Sequence, residues 1–363
     1  MRITIVGTRG IPACYGGFET FAEEISPLLV KKGFDVSVEC DKGSGSVEYY
    51  KGVKLFYSTV RKSENPLKYY YEGIKWGISN SDIILAASSA GSFFYPLNSF
   101  KRVPILTNPD GLEYKRGKWS FLKKVYLKLS EVLAIKLSDY IIADSELIKK
   151  HLITYYPASY QKIRVIEYGT SLNLKPDHDV LKKFDLEQND YYLVVSRLEP
   201  ENNLHIVIEG FLQSGVKPTL VIIGNILDNK YVKSLLDLAG QKKIRFLGGI
   251  YDRRELNAIR YSCKAYIHGH SVGGTNPSLL EAMGSGNIIL AHDNVFNREV
   301  TAGTQLYFSN IEQFADKIRL IETLELQESN AYKELNINII IKKYNWEIIL
   351  YKYIDLFNEI IPV

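Results

Sequence analysis

The feature that most constrains this chain is an alternation. Apolar runs of five or six residues are each followed by a stretch with helical spacing, and the whole series occurs twice. Runs this short do not make buried helices; alternating with helices, they build a parallel sheet covered on both faces. The first series predicts strands at "RITIVG" (2–7), "DVSVEC" (35–40), "DIILAA" (82–87), "VPILTN" (103–108), "YIIAD" (140–144) and "IRVIEY" (163–168). The second predicts them at "YYLVVS" (191–196), "TLVIIG" (219–224), "KIRFLG" (243–248), "AYIHG" (265–269) and "NIILAH" (287–292), with helices between, such as 203–213 and 228–240. The polar segment "GTSLNLKPDHDVLKKF" (169–184) separates the two series and reads as a linker. At the end, "NWEIILYKYIDLFNEII" (345–361) places Ile349, Tyr353, Leu356 and Ile360 at helical spacing. The expected organisation is a Rossmann-like domain over 1–170, a second over 171–344, and a helix over 345–363 that returns to the first. Doubly wound sheets bind ligands beyond the carboxyl ends of their strands. Two such units facing each other would make a cleft, so chemistry is sought just after strands.

At 363 residues, 46% of them hydrophobic and 24% charged, the chain has ample core material for two domains of ordinary size. A formal net charge of +4 is too weak to argue for a nucleic-acid partner. Cys14, Cys40 and Cys263 are scattered without a CxxC pair, which points to reduced thiols with neither a disulfide framework nor a zinc site. No apolar run approaches the roughly 20 residues needed to cross a bilayer. The expectation is a cytoplasmic protein, peripheral at most on the inner face of the membrane.

Four stretches carry chemistry. After the first predicted strand, "GTRGIPACYGGFETFAEEI" sets Gly7, Gly10, Gly16 and Gly17 around a turn that opens a helix near Phe18, with Glu19 in its first turn. Glycines let a ligand approach the backbone, and a helix N-terminus attracts phosphate. The G-x-G-x-x-G dinucleotide pattern is absent, so the available acid Asp41 makes only a remote case for a dehydrogenase. "TNPDGLEYKRGKW" (107–119) follows another strand and gathers Asp110, Glu113, Lys115, Arg116 and Trp119; its plain alternative is a solvated charged loop. "VVSRLEPENNLHIVIEGF" puts Arg197 at a strand end, with Asn202 and Asn203 as caps of the next helix. A guanidinium there suits a diphosphate, and equally a structural ion pair. "HGHSVGGTNPSLLEAM" offers Asn276 as N-cap, Pro277 as first helical residue and Glu281 in the second turn. Helical side chains lean towards the N-terminus, so Glu281 reaches back to the Gly274–Thr275–Asn276 loop. "DHD" (177–179) has a D-x-D form but lies in the linker after Pro176, away from any strand end, and no metal site is expected.

These four stretches, in this order, resemble the retaining glycosyltransferases of the GT-B fold, family four, across nearly the whole chain, and most closely the bacterial polysaccharide rhamnosyltransferases. The resemblance implies an α/β GT-B architecture of two doubly wound Rossmann-like domains facing across a cleft. It implies a nucleotide-diphospho-sugar donor as substrate, with no cofactor, and a glycan or lipid-linked glycan as acceptor. The family's E-x7-E motif ends at Glu281, which should bind the nucleotide ribose. Its first Glu falls at Gly273, so the backbone of Gly273, Gly274 and Thr275 would contact donor sugar and phosphate. The family's diphosphate-binding Arg and Lys map to Arg197 and Asn202; Arg9, Lys115 or Arg116 would have to replace the missing Lys. "GGIYDRREL" (248–256) resembles the loop that frames the base, with Tyr251 as a stacking residue. Gly16 and Gly17 would approach the donor. Asp110 would stand by the reacting sugar, with Glu19, Glu113, Lys115 and Arg116 on the acceptor side, and Asp110, Arg197 and Glu281 would form the catalytic set. Transfer by front-face attack, with the donor diphosphate helping to deprotonate the acceptor, needs no nucleophilic carboxylate, and activity should survive EDTA.

The expected reaction is therefore transfer of L-rhamnose from dTDP-L-rhamnose in cell-surface polysaccharide synthesis. The alternatives are a transferase of the same fold that uses a UDP- or GDP-sugar, or an inactive nucleotide-sugar-binding subunit. Between 101 and 136 basic residues outnumber acidic ones, and "WSFLKKVYLKLSEVLAIKL" reads as a helix carrying Phe121, Leu122, Val125 and Leu129 among its lysines. Either this is an ordinary packed helix, or Lys115, Lys118, Lys123 and Lys124 rest on an anionic membrane.

Overall fold

A computed structural model of the chain describes residues 1–13, 16–109, 120–240, 243–272 and 274–362. The chain forms two units, one running from Met1 to Gly169 and completed by the C-terminal segment from Trp346, the other spanning Thr170–Asn345.

The first unit contains β1 (Arg2–Val6), β2 (Asp35–Cys40), β3 (Tyr49–Tyr50), β4 (Val53–Tyr57), β5 (Ile83–Ala87), β6 (Ile105–Asn108), β7 (Tyr140–Ala143) and β8 (Ile163–Val165). They form one sheet in the order β3-β4-β2-β1-β5-β6-β7-β8, parallel except for the β3–β4 pair. β1 sits at its centre, with Ile3 opposite Val36 of β2 on one side and Ile83 of β5 on the other. Strand order reverses between β1 and β5, so the loops after these two strands diverge and leave a crevice, the position where such sheets take ligands. β3 and β4 were not among the expected strands. They form a small hairpin whose turn, Lys51 and Gly52, lies at positive φ; β3 has only two residues, and in β4 Lys54 interrupts the buried Val53, Leu55 and Phe56.

The second unit contains β9 (Tyr191–Val195), β10 (Thr219–Ile223), β11 (Ile244–Gly248), β12 (Ala265–His268), β13 (Ile289–His292) and β14 (Leu306–Phe308). All are parallel, in the order β11-β10-β9-β12-β13-β14. Numbered within this sheet the order is 3-2-1-4-5-6, that of a dinucleotide-binding Rossmann sheet, with its switch point between β9 and β12. β14, three residues long, is too short to show a period in sequence.

The segment expected as a linker is partly built into the second unit. Residues His178–Lys183 form a helix that buries Val180 and Leu181, and Thr170 pairs with Asn345 as an isolated parallel bridge. Asp177 caps that helix through the Val180 N–H at 3.3 Å and meets Arg254 Nε at 2.6 Å. The first acid of "DHD" is thus engaged in local structure.

The C-terminal helix Trp346–Ile360 belongs to the first unit. It buries Ile349, Leu350, Tyr353, Leu356 and Phe357. Tyr353 lies 5.5 Å from Phe21 and Phe357 lies 6.0 Å from Phe34, ring centre to ring centre. Lys352 ties it further to the buried Glu167. Phe357 has no exposed surface. Replacing it with Ala is expected to destabilise the first unit by about 3–5 kcal/mol. Urea denaturation followed by near-UV circular dichroism checks this, and an unchanged midpoint would show that the helix does not complete the core.

Candidate functional site

In the second unit the loops that leave β9 and β12 lie side by side at the switch point, because those strands are paired neighbours. Three hydrogen bonds join them. The N–H and hydroxyl of Ser271 both donate to the Glu201 carbonyl, at 3.0 and 2.9 Å. The Asn203 amide donates to the Gly269 carbonyl at 2.9 Å. A Cβ at Gly269 would lie 2.1 Å from the Asn202 carbonyl oxygen, so only glycine lets the loops approach this closely. From the other side, the side chains of Asn294 and Asn297 both donate to the His270 carbonyl, at 2.9 and 3.0 Å. The loop between β12 and the helix Pro277–Gly284 is therefore tied on both flanks before any ligand arrives.

Arg197 follows β9 with its side chain 46% exposed, 3.5 Å from Glu199. Asn202 does not share that surface. It is 2% exposed and its amide donates to the Arg197 carbonyl at 2.6 Å. Its amide faces inward and shapes the loop that carries Arg197. Thr275 is buried, and Asn276 precedes the helix without a side-chain cap bond. Glu281, in the second turn of that helix, is 29% exposed and ion-paired with Arg260, which is 3% exposed. Tyr251 is 54% exposed and accepts from the Asn225 amide at 2.7 Å.

Histidines floor this loop. His268 is wholly buried at the end of β12, and its ring stacks on His270 with centres 4.2 Å apart. Burial, with His270 and His292 nearby, holds His268 well below the usual imidazole range, so it stays neutral.

In the first unit the glycine-rich loop after β1 is shaped by buried carboxylates. The Gly7 N–H donates to Glu39, the Arg9 N–H to Glu19 and the Ala13 N–H to Glu23, each at 2.8 Å. The Tyr69 hydroxyl and the Lys62 ammonium donate to the Thr8 and Gly7 carbonyls, at 2.7 and 2.5 Å. Gly10 takes φ +105°, and a Cβ there would sit 2.6 Å from Cys40 Sγ. The helix Gly17–Lys31 starts directly after Gly16. Glu19, expected on the acceptor side, is 4% exposed and holds the loop backbone. Asp110, Glu113, Lys115, Arg116, Lys118 and Trp119, together with Cys14 and Gly273, lie outside the described residues.

Three buried groups escaped the sequence reading. Arg260, which the sequence analysis did not single out, is buried in the helix Arg253–Ser262 with Ala258, Ile259 and Ser262. Tyr266 passed as an ordinary strand residue, yet its hydroxyl donates to the Val195 carbonyl at 3.1 Å. Glu39 was the detectable one: an acid inside a strand that a doubly wound sheet covers on both faces, next to a glycine-rich loop.

Residues 179–338 match the family described as glycosyl transferases group 1. Residues 1–171 match a domain of unknown function, DUF1972. No curated protein matches the chain. Among solved structures it is similar to sucrose-phosphate synthase from Thermosynechococcus elongatus, at 15% identity over 99% of this chain and 98% of that one, with a TM-score of 0.83. It is also similar to Anabaena HepE in complex with UDP and glucose, at 18% identity over 99% and 100%, with a TM-score of 0.80. A glycosyltransferase from Rickettsia africae follows at 19% identity over 99% and 98%, with a TM-score of 0.76. At such identities the likeness is one of fold, and the fold is GT-B: two doubly wound parallel-sheet domains.

The Glu39 carboxyl has no exposed surface, and one of its oxygens lacks a hydrogen-bond partner. Burial pushes it up to about 8 from an ordinary value of 4.5, against the pull of the Gly7 N–H and Lys62. A carboxyl raised on folding binds its proton more tightly when folded. Its contribution is complete below pH 4.5, shrinks as pH rises and is gone once pH passes about 8. Glu39→Gln is expected to flatten that decline, which melting temperatures taken across this pH window would reveal. Parallel pH profiles for variant and wild type would show that Glu39 does not titrate there.

Proposed function

We propose that this protein is a retaining glycosyltransferase whose second unit holds a nucleoside diphosphate sugar and whose first unit receives the acceptor. The observation that carries the reading is the pair of interlocked loops at the β9/β12 switch point, with Arg197 and Glu281 beside them. Preorganised N–H groups and a half-exposed guanidinium suit a diphosphate, and a partly exposed carboxylate suits ribose hydroxyls. In the transfer, the bond between anomeric carbon and phosphate oxygen breaks while the acceptor oxygen bonds that carbon on the same face. The acceptor proton passes to the departing diphosphate. Negative charge grows on that diphosphate, where Arg197 and the loop N–H groups stabilise it. Asp110 is proposed at the acceptor and Tyr251 at the base.

We further propose dTDP-L-rhamnose as donor and a cell-surface glycan as product, a reading supported by the four sequence motifs. A UDP-sugar is the second reading, favoured by the HepE structures with UDP and with UDP-glucose. Turnover with a panel of dTDP-, UDP- and GDP-sugars in EDTA distinguishes them and is expected to persist without metal. With the productive donor, Glu281→Gln should weaken donor binding by roughly 10- to 150-fold, the effect of one charge-assisted hydrogen bond. Arg197→Ala should lower turnover by about 10²–10³, since it removes a contact to developing charge. A folded protein inert towards every donor, or unaffected by both substitutions, would overturn the reading.

The acceptor side is proposed to meet an anionic membrane. The helix Phe121–Leu137 buries Leu127, Ser130, Glu131, Ala134 and Ile135. Its other face presents Phe121 and Leu122, 78% and 79% exposed, with Val125 and Leu129, and carries Lys123 and Lys124 nearby. A second copy across a two-fold axis would set these lysines against each other, whereas anionic lipid complements them at about 1 kcal/mol each. Among the described residues no helix is long and apolar enough to cross a membrane, so the contact proposed is interfacial. Wild type is expected to float with phosphatidylglycerol vesicles at low salt and not with phosphatidylcholine vesicles. Changing Lys115, Lys118, Lys123 and Lys124 to Gln should abolish flotation, and a wild type that ignores both vesicles would refute the contact.

A further inference from the structure

We infer that Arg260 is the positioning residue of the donor site: it fixes the Glu281 carboxylate, and Tyr266 locks the same assembly to the strand that carries Arg197. The inference rests on the reading of Glu281 as the ribose contact and adds what holds it.

Arg260 lies in the helix Arg253–Ser262, which precedes β12, and is almost wholly buried. A guanidinium in such a place needs charge and hydrogen bonds to offset its lost hydration. One terminal nitrogen pairs with Glu281 Oε2, the other lies 3.5 Å from the Asn257 amide oxygen, and Nε is buried without a partner. Glu281 is the one carboxylate in that list. The ion pair leaves the Glu281 side chain 29% exposed while Arg260 is only 3% exposed. A pair with one buried cation and one half-exposed anion gives the carboxylate a single orientation while leaving acceptor capacity for a ligand's hydroxyls.

The backbone of Arg260 is anchored too. Its carbonyl accepts from the buried Asn287 amide at 2.7 Å, and Asn287 in turn accepts through its carbonyl from Asn336 at 2.8 Å. Tyr266 adds the link to the neighbouring strand. It is fully buried, and Arg260, Glu281 and Ser278 all lie close enough to act on its hydroxyl. Burial pushes that phenol up to about 12, so it keeps its proton and donates to the Val195 carbonyl, two residues before Arg197. Glu281 is thus held by a buried set of side chains that also bonds the end of β9, two residues before Arg197.

The test measures binding of dTDP and UDP by calorimetry, each against its analogue without sugar hydroxyls, 3′-deoxy-dTDP and 2′,3′-dideoxy-UDP. Wild type is expected to prefer the hydroxylated form of the nucleotide it binds, and Glu281→Gln to lose that preference. Arg260→Gln should lose it as well, by about tenfold for one misplaced charge-assisted hydrogen bond, although it does not touch the nucleotide. The double variant should be no worse than Glu281→Gln alone, and Arg260→Lys should recover part of the preference. Should Arg260→Gln fail to fold, the double variant, which leaves no unpaired buried charge, and Arg260→Lys carry the comparison. If Glu281→Gln loses the preference while the Arg260 variants keep it, or if the two effects add, the positioning role is refuted. If wild type itself shows no preference, the ribose reading of Glu281 fails instead.

Discussion

Everything proposed for the second unit depends on the parallel pairing of β9 with β12. Parallel neighbours end at the same edge of a sheet, and at a switch point their connections leave in opposite directions. The β9 and β12 loops must therefore start together and part, with a gap between. Here that gap is given a fixed shape: Gly269 lets the backbones touch, and Ser271 and Asn203 bond across. Without the pairing, Arg197 and the loop before Pro277 would be unrelated surface features.

A second theme is the placement of carboxylates against backbone N–H groups. In the first unit Glu19, Glu23 and Glu39 each take one N–H from the loop after β1. A glycine-rich loop is conformationally free, and fixing it costs entropy that these hydrogen bonds offset. In the second unit the same task falls to neutral amides, Asn202, Asn203, Asn294 and Asn297. These amides add no negative charge of their own beside Arg197, whose carboxylate neighbour is Glu199 at 3.5 Å.

Much was legible in the sequence. Eleven strands were readable because residues covered on both faces of a parallel sheet are mostly apolar; the missing β3 and β14 are short, and β4 follows β3 directly across a tight turn. The motif loops were legible because Gly, Asn and Pro at a strand end have few other uses. What stayed hidden was direction. Asn202 and Glu19 have the chemistry of ligand contacts, yet both side chains turn inward. Arg260 is charged and lies on a helix, yet it is 3% exposed.

The sequence by itself determined two doubly wound units, the strand ends where ligands belong, and the residue types waiting there. These follow from local periodicity, turn chemistry and the rule that parallel strands need crossover helices, all of which act over a few neighbouring residues. Tertiary structure alone decided which of those side chains face the crevice and which brace it. That choice is set by partners far along the chain: Glu39 meets Gly7 across adjacent strands, and Arg260 meets Glu281 only once β12 lies between their helices. Burial of a charge is a property of the packed whole, and no window of the sequence contains it.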